Sequence, residues 1–164
     1  MKKNNLDNII EKVWLGNSIA AEDFDELKNK NIKKILTIMD ESFPKNKYEG
    51  ITYKKINISD TIEENIICHF DECLNFIKGE DNILVHCKSG ASRSATIVIA
   101  FIMWDKKMSY HNALNLTKEK RFVFFPNHGF RKQLELFEKL LKENDYDINK
   151  IKFEEIKWDL KDNL

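Results

Sequence analysis

Ile83-Leu84-Val85-His86-Cys87-Lys88-Ser89-Gly90-Ala91-Ser92-Arg93-Ser94-Ala95-Thr96-Ile97-Val98-Ile99-Ala100 changes character twice. An apolar run ends at His86-Cys87, a loop of mostly small residues follows, and a second apolar run begins just after Arg93. That order predicts a buried strand, a tight turn and a helix whose first turn is left open. Amides at a helix start have no partners inside the helix and carry partial positive charge, so they gather around an anion. The loop Lys88, Ser89, Gly90, Ala91, Ser92 is small enough for main-chain amides to close around a tetrahedral group, as backbone nests do. Cys87 and Arg93 stand at its two ends. A thiol aimed at the centre would have its thiolate stabilised by the same dipoles and by the guanidinium. Arg93 offers a planar fork suited to two phosphoryl oxygens. The segment reads as a site for phosphate-ester hydrolysis.

His-Cys, five intervening residues and Arg-Ser, at positions 86 to 94, resembles the signature of cysteine-dependent protein phosphatases, and its Gly-x-Ser-Arg-Ser ending resembles their dual-specificity branch. Three further landmarks lie in that family's order. Trp14-Leu15-Gly16-Asn17 followed by Ala20 resembles its opening strand and helix, and Tyr53 through Asp60 its strand ending at the general acid. Arg121 through Pro126-Asn127-His128-Gly129-Phe130, with Gln133-Leu134, resembles its closing segment. The likeness covers roughly residues 9 to 141. It implies an α/β phosphatase fold: one domain, with a central mixed, twisted sheet of about five strands flanked by helices.

On this reading Cys87 attacks phosphorus and forms a cysteinyl-phosphate, dividing the hydrolysis into two easier steps. Arg93 holds the phosphate and the spread charge of a loose transition state. Asp60, at a strand end where a loop begins, is the expected general acid and later base, ahead of Asp40 and Asp71. By resemblance, Ser94 stabilises the departing thiolate and Asn127 braces the phosphate loop. Lys88, Ser89, Gly90, Ala91, Ser92 and Arg93 are the expected phosphate-binding residues, and His86 is expected to hold the loop in shape. Neither a cofactor nor a metal is implied, since only His69 and Cys73 share a helix face and two ligands are too few. The chain departs from the family's usual loop at Ser89 and Ala91, which bears on substrate preference. Protein phosphotyrosine, phosphoserine and phosphothreonine are the expected substrates. The alternatives on the same scaffold are phosphoinositides, RNA 5′ phosphates or glucan phosphates, or a non-catalytic phospho-binding module.

Composition narrows the class. With 164 residues, 42% of them hydrophobic and 33% charged, the chain reads as one soluble globular domain. Lysines and arginines number 27 against 27 acids, so no global field draws nucleic acid and attraction for phosphate is local. Lys2 and the Asp-Asn-Leu ending do not fit lipidation patterns, and membrane association is not expected. Three cysteines, an odd number, argue for a reducing compartment, cytoplasmic or nuclear. Expected partners are phosphorylated proteins, and a monomer is expected.

Along the chain, Val13–Leu15, Ile35–Met39, Ile51–Ile58 and Ile83–Val85 read as strands. Ser18 is expected to cap a helix over Ile19–Lys30, with Ala20, Phe24 and Leu27 on its inner face. Thr61 with Glu64 suggests a capping box opening a helix to about Lys78. Ala95–Trp104, apolar all round, predicts a central covered helix. Ser109 and Asn127 are expected to start helices running to Lys120 and Lys142. Phe122, Phe124 and Phe125 are expected in the core rather than as a substrate platform. A catalytic domain over 1–142 is expected, followed by a charged extension over 143–164 that docks on it through residues such as Phe153 and Trp158.

Overall fold

The computed structural model describes residues 4–163, so Lys2 and Leu164, on which the lipidation expectations bear, lie outside the described residues. Five strands form one mixed sheet in the order β1-β2-β5-β3-β4. They are β1 (Leu6–Ile10), β2 (Val13–Gly16), β3 (Lys34–Ile38), β4 (Thr52–Ile56) and β5 (Ile83–His86). β2, β5, β3 and β4 run parallel, while β1 folds back antiparallel on β2. β5 is central and every one of its residues is buried, as an apolar run between two parallel neighbours requires.

β1 escapes a period-two reading. The register shifts between Asn8 and Ile10, and Leu6 and Ile9, three apart, are buried in different clusters, Leu6 with Ala20, Leu27 and Leu84 and Ile9 with Val13, Leu15 and Val85. Its companion element also differs from expectation. The helix expected over Ile19–Lys30 is two short ones, α1 (Ser18–Glu22) and α2 (Phe24–Asn29). Asn17, not Ser18, caps the first, and an extended Asp23 accepts from the Glu26 amide at 3.0 Å to start the second. A side chain that bonds its own backbone competes with helix continuation. The break turns Phe24 outward, where it is 45% exposed, while Ala20 and Leu27 stay buried.

The helix expected from Thr61 begins later, as a 3₁₀ turn over Ile67–His69 running into α3 (Phe70–Ile77). Side-chain amides distant in sequence take the backbone groups a helix would have used. Asn127 Nδ2 donates to the Thr61 carbonyl, Gln133 Nε2 donates to that of Glu64, and Gln133 Oε1 accepts from the Ile67 amide. A buried glutamine so saturated outweighs a surface capping box.

α4 (Arg93–Asp105) runs through the core, with Arg93 to Met103 all buried, as its all-round apolarity predicts. α3, α5 (Tyr110–Lys120) and α6 (His128–Glu143) pack around it. α6 turns in Phe130, Gln133, Leu134, Phe137 and Leu141, a stripe at helical spacing. Past α6 come 3₁₀ turns at Ile148–Lys150 and Phe153–Glu155 and a short α7 (Leu160–Asn163). Ile148, Ile151 and Phe153 join the core around α4, the Phe153 and Phe137 rings lying 6.0 Å apart. Trp158 Nε1 donates to the Ile62 carbonyl at 2.9 Å, and Asn65 Nδ2 to that of Ile156 at 2.8 Å.

This topology decides where chemistry can gather. In an open parallel sheet, ligands bind in the crevice outside the carboxyl ends of the strands. Here the carboxyl ends of β2, β5, β3 and β4 deliver Asn17-Ser18, Cys87, Asp40-Glu41 and Asp60 to one edge.

Candidate active site

The loop between β5 and α4 owes its shape to partners outside it. His86 Nδ1 lies 3.2 Å from the Cys87 carbonyl. The Lys88 carbonyl accepts from the Ser18 amide and hydroxyl, at 3.2 and 3.3 Å. Arg121 donates to the Ser89 and Gly90 carbonyls, at 3.4 and 2.9 Å. The Ala91 carbonyl accepts from the Phe125 amide at 2.7 Å, and that of Ser92 accepts from the Thr96 amide and hydroxyl. With the carbonyls from Cys87 to Ser92 all engaged outward, the amides from Lys88 to Ser92 have no acceptor among the described residues. Ser92, the N-cap of α4, makes no capping bond to the helix, so its first turn is open too. An anion is what such a ring of donors fits.

Gly90 is required there. Its φ is +67°, and a Cβ would lie 2.4 Å from the Gly16 carbonyl oxygen and 2.6 Å from Arg121 Nη2.

The nucleophile candidate sits at the base. Cys87 is 1% exposed, and Ser94 Oγ donates to its sulfur at 3.1 Å, which holds Sγ against the first turn of α4. Arg93 leaves that same turn and is 5% exposed. Its Nη1 donates to Asp40 Oδ1 at 3.0 Å, Glu41 Oε2 at 3.3 Å and the Ile58 carbonyl at 3.0 Å. Its Nε is buried with no partner. A buried, unpaired guanidinium donor beside an open helix start suits a phosphoryl oxygen. The Ser59 hydroxyl first, then a backbone hydrogen bond at Asp40 and the Glu41 side chain, with Arg93 last, hold the Asp40 carboxyl down to about 2, so it stays ionised opposite the arginine. Asp40 therefore sits in the site as the arginine's counter-ion. Asp71 is exposed on α3 and bonds Asn75 instead.

Asp60 reaches the rim. Its Oδ1 accepts from Ser92 Oγ at 2.6 Å and from Asn127 Nδ2 at 2.9 Å. Asn127 also caps α6, accepting from the Phe130 amide at 3.0 Å, and its own amide donates to Ser92 Oγ. Cys87, Arg93, Asp60, Ser94, His86 and Asn127 are thus brought together.

Burial pushes the His86 imidazole down to about 4, so it is neutral. Nδ1 faces a carbonyl, which only accepts, so Nδ1 carries the proton and Nε2 accepts from Thr37 Oγ1 at 2.7 Å. The unfolded chain binds a proton near pH 6.5 that the folded chain refuses until about pH 4. Stability from this group is therefore complete above pH 6.5 and falls as pH drops towards 4, by on the order of 3 kcal/mol. Urea unfolding at both pH values should show His86→Gln losing less stability than the parent chain by that amount. Equal losses would remove the burial account.

Three contributors went unassigned in the sequence. Arg121 is 1% exposed and pairs with Asp7 Oδ2 at 2.7 Å. Thr37 orients His86, and Glu41 joins Asp40 on Arg93. The phenylalanines near Arg121 correct an expectation: Phe122 is 80% and Phe125 70% exposed, and Phe124 alone packs on the core. Arg121 fills the inward position at that point, so its neighbour Phe122 faces out. Phe125 lies under Arg131, 4.9 Å from ring centre to guanidinium.

Comparison with known proteins gives a concordant result. The family model described as dual specificity phosphatase, catalytic domain, matches residues 13–140. The chain is 40% identical over 138 residues to mouse dual specificity protein phosphatase 15, covering 82% of this chain and 58% of that protein. It therefore spans little more than half the length of that relative. To Arabidopsis thaliana dual specificity protein phosphatase 1B it is 35% identical over 143 residues, 85% of each. A crystal structure of DUSP15 superposes with a TM-score of 0.76 at 35% identity, covering 85% of this chain and 97% of that one.

Proposed function

The chain belongs to the dual specificity phosphatase family, and from that premise we propose that it hydrolyses phosphate monoesters on protein tyrosine, serine and threonine. The observation that supports this most is the loop whose carbonyls are anchored outward around the Cys87 sulfur. The phosphoryl group sits among the free amides, with Arg93 Nε donating to one of its oxygens. The Cys87 thiolate attacks phosphorus in line as the ester bond breaks, and Asp60 in its acid form protonates the departing oxygen. Water then attacks the cysteinyl-phosphate. Asp60 takes its proton and Ser94 stabilises the thiolate that leaves. His86 and Asn127 support the loop without touching the substrate. No step calls on a metal or cofactor.

The unpaired thiols support action in a reducing compartment, cytoplasmic or nuclear. Residues 143–164 are proposed as an extension of a catalytic domain over 1–142, a reading supported by the burial of Ile148 and Phe153.

The test is hydrolysis of phosphotyrosine, phosphothreonine and phosphoserine peptides with chelator present, beside an Asp60→Ala variant. Asp60→Ala should lower turnover of the alkyl phosphates, whose leaving groups need a proton, by about 10²-fold or more. It should spare kcat/KM on p-nitrophenyl phosphate, whose phenolate leaves unaided, because that ratio reports the first step and not the later attack of water. Equal losses of kcat/KM on all substrates would remove Asp60 as the acid, and no turnover of any peptide by the parent chain would remove the protein-substrate reading.

A further inference from the structure

We propose that the groove beside the phosphate loop seats an apolar side chain of a phosphoprotein substrate, within two positions of the phosphorylated residue. The inference rests on the phosphatase reading above and names what that site selects. The groove has a volume of about 970 Å³, enough for a large side chain and its neighbours. Ile19, Phe24, Met39, Phe43 and Tyr48 supply its apolar lining.

It is continuous with the site. Lys88, which directly follows Cys87, lines its inner end, and Glu41 lines it while reaching Arg93. The Phe43 ring stands edge-on to His86 at 4.9 Å. An extended peptide advances about 3.3 Å per residue, so a chain whose phosphate lies in the loop enters the groove within a residue or two.

Its apolar lining is otherwise wasted on water. The exposed large hydrophobic residues among those described are Ile19, Phe24, Ile62, Phe122 and Phe125. Each lies on a segment that builds the site or its groove. Ile19 follows Ser18 on the Lys88 carbonyl, Ile62 lies just beyond Asp60, and Phe122 follows Arg121. Phe125 bonds Ala91. Single exposed apolar residues mean little, but their confinement to one edge of the sheet marks a contact surface.

The groove is also built in advance. Glu22 accepts from the Lys45 amide at 2.8 Å and Asn46 Nδ2 at 3.1 Å, and its carbonyl accepts from the Tyr48 hydroxyl at 2.8 Å. The Phe24 and Tyr48 rings lie 4.8 Å apart. A held wall costs little ordering when a ligand enters.

Charge separates a peptide from a lipid surface. Glu22, Asp23, Asp25 and Glu41 line the groove against Lys45 and Lys88. A net acidic wall repels an anionic bilayer and favours peptides with a basic residue near the apolar one.

The test compares phosphotyrosine peptides carrying leucine or only alanine at the two positions on either side, with p-nitrophenyl phosphate as a probe too small to reach the groove. The leucine peptide should be the better substrate. The double variant Ile19→Ala, Phe24→Ala should lose about tenfold in kcat/KM on it, through KM. Its turnover of the alanine peptide and of p-nitrophenyl phosphate, and its thermal midpoint, should stay at parent values. Phe24→Leu should keep most of the preference. Equal handling of the two peptides by the parent chain, or a leucine preference that survives the double substitution, overturns the proposal. So does faster hydrolysis of phosphatidylinositol 3-phosphate in phosphatidylcholine vesicles than of either peptide. If Cys87→Ser leaves p-nitrophenyl phosphate turnover intact, the phosphatase premise itself falls, and the groove's role with it.

Discussion

Cys87→Ser should lower turnover of p-nitrophenyl phosphate by at least about 10⁴-fold while leaving fold and phosphate binding in place. A serine hydroxyl needs a base to become a nucleophile, and Asp60 is required in its acid form during that same step. His86 is the adjacent imidazole, but its Nδ1 proton is given to the Cys87 carbonyl and its Nε2 lone pair to Thr37. Ser94 Oγ donates to the sulfur and does not take a proton from it. The free amides and Arg93 are untouched by the substitution, so inorganic phosphate should inhibit binding of a phosphopeptide equally in both proteins. Acid-quenched parent protein, caught during turnover, should carry one phosphate on the Cys87 peptide, and the variant none. Turnover comparable to the parent's would remove Cys87 from the chemistry.

Arg121→Met should cost about 3–5 kcal/mol of stability, the largest loss expected from a single side chain outside the apolar core. The methionine keeps the aliphatic stem but leaves Asp7 facing a buried position without its partner. The Gly90 and Ser89 carbonyls lose their donors in the same step, so the loop that surrounds Cys87 relaxes. For a chain of this size the thermal midpoint should fall by about 10 °C. Inorganic phosphate should become a weaker inhibitor, which a purely global loss of stability would not cause well below the midpoint. Adding Asp7→Asn should recover part of the stability, because an amide tolerates the missing charge, yet recover none of the phosphate affinity. A midpoint within 2 °C of the parent's, against the fall of about 10 °C expected, would show that the pair is not energetically coupled to the fold.

What a reader of the chain can and cannot extract follows from distance along it. The strand, loop and helix from Ile83 to Asp105 are legible because their determinants are contiguous: an apolar strand, small loop residues, then apolar residues on every helix face. Asp60 is legible from its strand end together with the family resemblance, and Asn127 as a brace of the loop from the resemblance alone, while Ser92 brings the two together. Arg121 gives no comparable sign. Its partner Asp7 is 114 residues away, and a lone arginine after a helix looks like any solvated charge. β1 is hidden because Leu6 and Ile9 are buried in different clusters, which leaves no apolar and polar alternation to mark a strand. The delayed start of α3 depends on Gln133, again a long-range amide that local capping rules cannot anticipate. Phe122 and Phe125 lie outside the core that aromatic character predicts for them, because the inward position there is taken by the charged Arg121.

The chain has three tryptophans, and one of them is wired to the segment that carries Asp60. The Trp158 indole N–H rests on the Ile62 carbonyl, two residues past Asp60, the proposed acid. Any swing of that segment during a catalytic cycle must stretch or break this bond, and indole emission responds to the loss of such a partner. With Trp14 and Trp104 replaced by phenylalanine, the protein carries its own optical gauge of acid-loop position, readable in stopped flow without a label.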